Sequence, residues 1–299
     1  MTEITPGLLR RGARAEPSRY RHRVAALATK HAKECALAWP LSRGLGLSLL
    51  VPLSVDTDTL GTFTGEIPRE GTPAEVVRRK ARLGMAATRL PFGLASVVSF
   101  CPHPLMPFLP SDFEVLVFVD DEEGFTVSVE IVTVETNYGQ ARCANATEAL
   151  AFAAQSRFPS HALIVRPAGH ADPALIRKGL REEEAVRSAI RQAIEQSPEG
   201  LACLETDMRA HANPTRMGVI RRLGGRLARC LRTHCPKCRC PGFGRVGTEP
   251  GLPCAECGEP TGMTLWEIHG CPRCHVRRPS PRADGSKTAP PQYCPFCNP

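Results

Sequence analysis

Four Cys-x-x-Cys pairs fall within 63 residues at the carboxy-terminal end of this 299-residue chain: Cys235/Cys238, Cys254/Cys257, Cys271/Cys274 and Cys294/Cys297. Two cysteines three apart on a tight turn can present both thiolates to one metal ion, and two such turns complete a tetrahedron. Soft sulfur donors favour zinc or iron, and eight thiolates match two four-cysteine sites. Iron–sulfur clusters draw on a tighter or more irregular cysteine set, so two structural Zn²⁺ ions are the expected cofactors, each with all four positions filled by protein. Proline follows the first cysteine in three of the turns (CPKC, CPRC, CPFC) and presets the local φ. His234, His269 and His275 lie beside the cysteines and read as bystanders or as donors to the ligands. About 65 residues with few large apolar side chains cannot fold without the metal.

The gaps between successive pairs are 15, 13 and 19 residues, each the length of a small hairpin. Three pairings are open. Sequential pairing joins the first pair with the second and the third with the fourth. Interleaved pairing joins first with third and second with fourth, and a nested scheme closes the outer two pairs over the middle two. Loop-closure entropy separates them weakly, by about 0.6 kcal/mol per doubling of length, so local sequence has to decide. PGFGRVGTEPGLP is turn-rich, TGMTLWEIHG is the better strand, and Arg277–Gln292 reads as a proline-rich loop within the last ribbon. Sequential pairing is the expectation.

The net charge of +8 is concentrated at the same end. From Asp207 to Pro299 there are 15 Lys and Arg against six Asp and Glu, whereas the first 206 residues hold 23 against 24. Such asymmetry suggests a polyanionic partner such as nucleic acid, or another protein. Asn213-Pro214 opens a helix with cap and proline in the preferred order. At about 100° per residue, Met217, Ile220, Leu223, Leu227, Cys230 and Leu231 share one face. Arg221, Arg222, Arg226, Arg229 and Arg232 fall on the other and are the candidate nucleic-acid or anion contacts. An aromatic content of 5% argues against base stacking.

No uncharged apolar stretch approaches the roughly 18 residues of a membrane helix. The amino terminus is polar and lacks an apolar signal core. Membrane, secreted and fibrous classes are therefore excluded, and a cytoplasmic protein without a membrane partner is expected. Residues 1–20 read as a flexible arm, 21–233 as an α/β domain ending in the basic helix, and 234–299 as the metal module. Within the domain, Val24–Thr29 and Leu47–Val51 are strand-like. Thr72-Pro73 opens a helix, and Phe92–Phe100 is a buried strand. Phe113–Val119 and Phe125–Val134 flank the acidic turn Asp120-Asp121-Glu122-Glu123-Gly124. Further helix and strand segments lie at Thr147–Gln155, His161–Val165, Glu182–Gln196 and Leu201–Glu205. This alternation predicts an α/β fold with a mixed sheet and flanking helices.

The carboxy-terminal pairs resemble tandem zinc ribbons, a module used to hold nucleic acid or another protein. VAALATKHAKE and EVVRRKARLGMAATRLPFGLASVVSF follow the order of a phosphate loop, helix and strand in the inosine and xanthosine triphosphate pyrophosphatase superfamily, which the amino-terminal part loosely resembles. The resemblance implies phosphate contacts at Thr29, Lys33 and Lys80. His31 replaces that family's loop asparagine, Lys33 sits one residue too close and Val76 replaces the helix asparagine. Ala95-Ser96-Val97-Val98 stands where its metal-binding acids belong. With its ETDMRAHANPTRM, PGFGRV, GLPC and YCPFCNP strings, the whole chain also resembles an uncharacterised bacterial family of unknown function.

Remaining candidates for chemistry are few. The acidic turn reads as solvated rather than metal-binding, His103 in CPHPLMPF as a loop histidine, and Glu205, Asp207 and His211 as a weak cluster. The favoured function is non-catalytic binding through ribbons and basic helix. The alternative is a nucleotide phosphohydrolase with a relocated metal site.

Overall fold

The computed structural model describes residues 17–61, 67, 70–103, 106–170 and 172–299. Residues 1–16 of the expected arm lie outside the described residues. Strands β1 (Val24–Leu27), β2 (Ser48–Leu50), β3 (Phe92–His103), β4 (Met106–Asp120) and β5 (Phe125–Thr133) form a mixed sheet in the order β2-β1-β3-β4-β5. The β1–β2 and β1–β3 pairings are parallel, and β3–β4 and β4–β5 are antiparallel.

Helices α1 (Glu34–Leu45) and α5 (Pro214–Arg232) cover one face of this sheet, and α2 (Pro73–Thr88) covers the other. Leu37, Leu41, Ile220, Leu223 and Leu227 meet Leu27, Leu94, Leu116 and Phe118 on the first side. Val77, Ala81 and Met85 meet Ala95, Val97 and Val117 on the second.

Local chemistry explains the helix starts. The Thr72 hydroxyl accepts from the Glu75 N–H while the Glu75 carboxylate accepts from the Thr72 N–H, a complete capping box with Pro73 behind it. The Asn213 side chain caps α5 in the same way, accepting from Arg216 N–H at 3.0 Å. Helix α1 has no anticipating signal: Lys33 at its start makes no side-chain cap, and Pro40 lies inside it. Packing sustains it. Gly44 lies against Ala228, and Gly224 against Pro40 and Leu37, so α1 and α5 approach closely where both present small residues. The interruption of the basic helix at Gly224-Gly225 is thus a packing requirement at its first glycine.

A second sheet, wholly antiparallel, is built from β6 (Gln140–Cys143), β7 (Leu163–Pro167), β8 (Arg177–Leu180) and β9 (Ala202–Thr206) in the order β6-β9-β7-β8. Helices α3 (Ala146–Gln155) and α4 (Glu183–Gln196) contribute Ala149, Ala153, Val186 and Ile190 to its separate core.

The carboxy-terminal segment contains β10 (Gly244–Pro250), β11 (Thr264–Gly270) and β12 (Arg277–Pro281), an antiparallel meander. The turn-rich string after the first cysteine pair and the start of the proline-rich stretch are therefore strands, which local composition does not suggest. Pro279 and Pro281 are accommodated because β12 is an edge strand. Among the described residues no helix is long and apolar enough to cross a membrane.

Candidate functional site

The meander decides how the cysteines group. The first three Cys-x-x-Cys turns flank β10 and β11, and a seven-residue strand carries the chain roughly 23 Å, at about 3.3 Å per residue, before it returns. Beyond β12 the chain comes back to the second turn, where Ala289 bridges Cys254. Successive turns therefore alternate between opposite ends of the sheet. Cys235, Cys238, Cys271 and Cys274 gather at one end and Cys254, Cys257, Cys294 and Cys297 at the other, each set with its sulfurs within 4.8 Å of one another. The grouping is interleaved, and this corrects the sequential expectation. Sequential pairing would have to join turns at opposite ends of the strand between them.

The sulfurs stand at bonding distances for a shared ion. Cys235 and Cys274 are 3.6 Å apart, Cys238 and Cys271 3.6 Å, Cys254 and Cys297 3.9 Å, and Cys257 and Cys294 3.5 Å. A tetrahedron with zinc–sulfur bonds of about 2.3 Å has sulfur–sulfur edges of roughly 3.8 Å. All eight cysteines are free thiols, and both groups could hold a metal ion.

Backbone amides favour the thiolate form that ligation needs. Burial raises the Cys235 thiol, but the N–H groups of Cys238 and Lys237 overcome this and bring it to about 6. Those of Cys257 and Glu256 bring Cys254 to about 7. Within the second group the neighbouring thiols raise Cys297, and Cys257 is raised too. Outside both groups, burial pushes Cys230 up to about 11 and Cys240 up to about 12. His234, His269 and His275 join neither group.

The two groups have different surroundings. Cys235 and Cys271 are buried in the main core together with Phe125 and Val127 of β5, while Cys257 and Cys297 are exposed. The first group thus docks on the mixed sheet. Arg273 pairs with Glu123 at 2.7 Å beside it.

Glu123 belongs to the acidic turn, in which Asp121 and Glu122 are exposed, as a solvated turn predicts, yet carry ion pairs. Asp120 is fully buried and accepts from the Tyr20 hydroxyl at 3.0 Å. Asp121 pairs with Arg82 and Glu122 with Arg23, while Glu123 holds Arg19 at 2.6 Å as well as Arg273. The turn is a clamp joining the amino-terminal segment, α2 and the cysteine-bearing segment.

Arg221, Arg222, Arg226, Arg229 and Arg232 are all exposed on α5. Arg222 pairs with Glu135 at 2.8 Å, Arg226 donates to the Glu130 carbonyl at 2.8 Å and Arg232 to the Gly44 carbonyl at 3.4 Å.

Thr29, Lys33 and Lys80 line one cavity of about 50 Å³ at the carboxyl end of β1, with His31, Asp58, Ser96 and Arg216. Lys33 Nζ donates to the Ser96 carbonyl and hydroxyl oxygens, both at 2.8 Å. Behind Ser96 stands Glu114 of β4, wholly buried, accepting from Ser96 Oγ at 3.0 Å and Arg216 Nε at 3.0 Å. Asp112, two residues earlier and so on the same face, is 1% exposed, and neither of its carboxylate oxygens has a partner. Burial, then the Glu114 charge, raises its carboxyl to about 7. Sequence reading looks for acids after Ser96 on its own strand and misses these two on the neighbouring one. The available signal is Arg216, seven residues before Leu223 and four before Ile220, a charge on the apolar arc of α5. Among the described residues only the cysteine sets bring three or more ligand atoms together.

The other candidates separate. Glu205 accepts from Arg166 at 2.9 Å, and Asp207 holds Arg209 and the Gly179 N–H. His211 packs against His31, with ring centres 5.2 Å apart. His103 ends β3 opposite Met106.

Residues 80–299 match the family described as Domain of unknown function (DUF6671). No curated protein and no solved structure matches the chain.

Proposed function

The chain belongs to the DUF6671 family, and we propose that it is a zinc-stabilised, non-catalytic binding protein whose tandem ribbons and basic α5 face engage nucleic acid or a protein partner. The observation that carries this reading is the pair of four-sulfur groups. Each has the spacing of a closed tetrahedral zinc site, with no position left for water or substrate. In this reading residues 234–299 are the ribbon module and residues 21–233 the α/β portion that presents the arginines beside it. Phosphates or carboxylates meeting Arg221, Arg222, Arg226, Arg229 and Arg232 would release condensed counterions, so affinity should fall steeply with salt. Purified, untagged chain should carry two zinc ions. Binding to RNA or DNA near 50 mM salt should weaken similarly for all sequences when Arg222, Arg226 and Arg229 become alanine. Salt-insensitive binding would refute the nucleic-acid arm.

A second reading, nucleotide phosphohydrolysis, draws support from the cavity shared by Thr29, Lys33 and Lys80. Against it, Lys33, Ser96 and Arg216 already engage Glu114, and hydrolysis of this type needs a carboxylate-held metal ion. Standard and deaminated nucleoside triphosphates with Mg²⁺ or Mn²⁺ should release no pyrophosphate above buffer. Turnover abolished by Lys80→Ala would establish this reading instead.

A further inference from the structure

A groove of about 700 Å³ separates the mixed sheet from the ribbon sheet. One wall is five consecutive residues of β5, 126–130, and the other is five consecutive residues of β10, 244–248. Arg226 and Cys230 of α5 also line it. A strand turns alternate side chains to opposite faces, so a wall made of every residue over five positions is a strand edge. Among the described residues both strands are terminal in their sheets: β5 pairs only with β4, and β10 only with β11. Each edge therefore offers the groove backbone N–H and C=O groups with no neighbouring strand among the described residues, the Glu130 carbonyl alone being taken by Arg226. Such edges are templates for a further strand unless they are covered or blunted. Gly244 and Gly247 on the β10 wall keep side-chain bulk away from the space.

Two guanidiniums, Arg226 and Arg245, line the groove against one carboxylate, Glu130. Burial, then repulsion from Arg245, Arg229 and Arg222, pulls the Arg226 guanidinium below its usual value, with Glu130 the opposing charge. Arg226, which donates to the Glu130 carbonyl, and Arg245, 3.9 Å from Glu267, stand beside the two edges and call for an anionic ligand that can also exchange backbone hydrogen bonds. A nucleic-acid strand would satisfy the arginines but not the alternating donors and acceptors of the edges, and among the described residues no aromatic side chain lines the groove for base stacking.

We infer that this groove receives an extended acidic segment of a partner protein, inserted as a strand between β5 and β10 with every second side chain a carboxylate turned toward Arg226 and Arg245. The inference rests on the binding reading above and specifies its partner. Five residues of edge, roughly 16 Å at about 3.3 Å per residue, set the length recognised. Insertion would join the two sheets and fix the ribbon module against the α/β portion, and main-chain bonds would supply affinity while the arginines select charge.

The test uses the full zinc-loaded chain and three probes: a heptapeptide alternating valine with glutamate, the same peptide N-methylated at alternate amides, and a single-stranded RNA of seven nucleotides. Anisotropy measures binding and hydrogen exchange maps it. The expected result is that the plain peptide slows exchange over residues 126–130 and 244–248 together. N-methylation, which keeps the charge and removes the donors, should weaken binding at least tenfold. So should the double variant Arg226→Glu with Arg245→Glu. Equal binding of the methylated peptide, protection of one edge only, or no peptide binding overturns strand insertion. If RNA binds in that last case, the broader binding reading stands without it. If neither RNA nor peptide binds, both lose their support.

Discussion

Glu114 is wholly buried, yet Arg216 and Lys33 hold its carboxyl below the usual range against the opposing effect of burial. Removing one partner of such a network leaves uncompensated charge in the core, which costs about 3–5 kcal/mol. Glu114→Ala should show a loss of that size in urea unfolding, because two cations lose their shared carboxylate. Asp112 behaves oppositely. Its carboxyl is raised to about 7 from the ordinary aspartate value, so the folded state binds the proton more tightly than the unfolded chain does. The resulting stability is fully present below about pH 4 and declines as pH rises toward 7. Asp112→Asn should therefore gain stability relative to the parent at pH 8 and gain little at pH 4. Denaturation midpoints at several pH values would reveal the difference, and a pH-independent difference would contradict it. The sequence placed Lys33 in a phosphate loop by resemblance. Its contact with Ser96 and its nearness to Glu114 depend on residues 63 and 81 positions away, which no local pattern encodes.

Among the elements, α5 carries the clearest contrast. A Cβ at Gly224 would lie 2.9 Å from Pro40 Cγ and 3.0 Å from Leu37 Cδ2, whereas at Gly225 its nearest neighbour is the end of Arg229 at 3.8 Å. Gly225→Ala should stabilise the chain by about 0.5–1 kcal/mol through helix propensity alone. Gly224→Ala should reverse that gain by forcing α1 and α5 apart, and thermal unfolding of the two variants would show opposite shifts. The helix itself was legible from Asn213-Pro214 and from the spacing of its leucines. Helix α1 was not, because it lacks a side-chain cap, includes Pro40, and depends on its contact with α5. In the meander, Cys271→Ser with Cys274→Ser should leave one zinc per chain and make Cys235 and Cys238 reactive toward a thiol probe. Cys254, Cys257, Cys294 and Cys297 should stay protected. Reactivity of Cys294 and Cys297 in that variant would restore the sequential scheme.

At the scale of the whole molecule the two four-sulfur groups should be unequal. The first shares its core with Tyr20, Phe92, Phe118 and the leucines of α1 and α5, while the second stands at the far end of the β10–β12 sheet with Cys257 and Cys297 exposed. Cys235→Ser with Cys238→Ser should lower the unfolding temperature of the α/β portion. Cys254→Ser with Cys257→Ser should disorder only the distal end of the meander. Hydrogen exchange over residues 115–131 would separate the two, being faster in the first variant and unchanged in the second. Arg19, Arg82 and Arg273, converging on the acidic turn, make that turn the likewise sensitive joint between the module and the sheet.

The sequence by itself determined the features that depend on neighbours a few residues apart. These are the eight cysteines in Cys-x-x-Cys turns, the caps at Thr72 and Asn213, the amphipathic face of α5, and an α/β alternation around a mixed sheet. Tertiary structure decided which turns share a metal position, because that depends on the direction of the strands between them. It also turned the acidic turn into a clamp, and it supplied two buried acids from β4 where β3 has none. Strand pairing brings together groups that are remote along the chain. Burial then makes their charges matter, and neither effect leaves a mark on local composition.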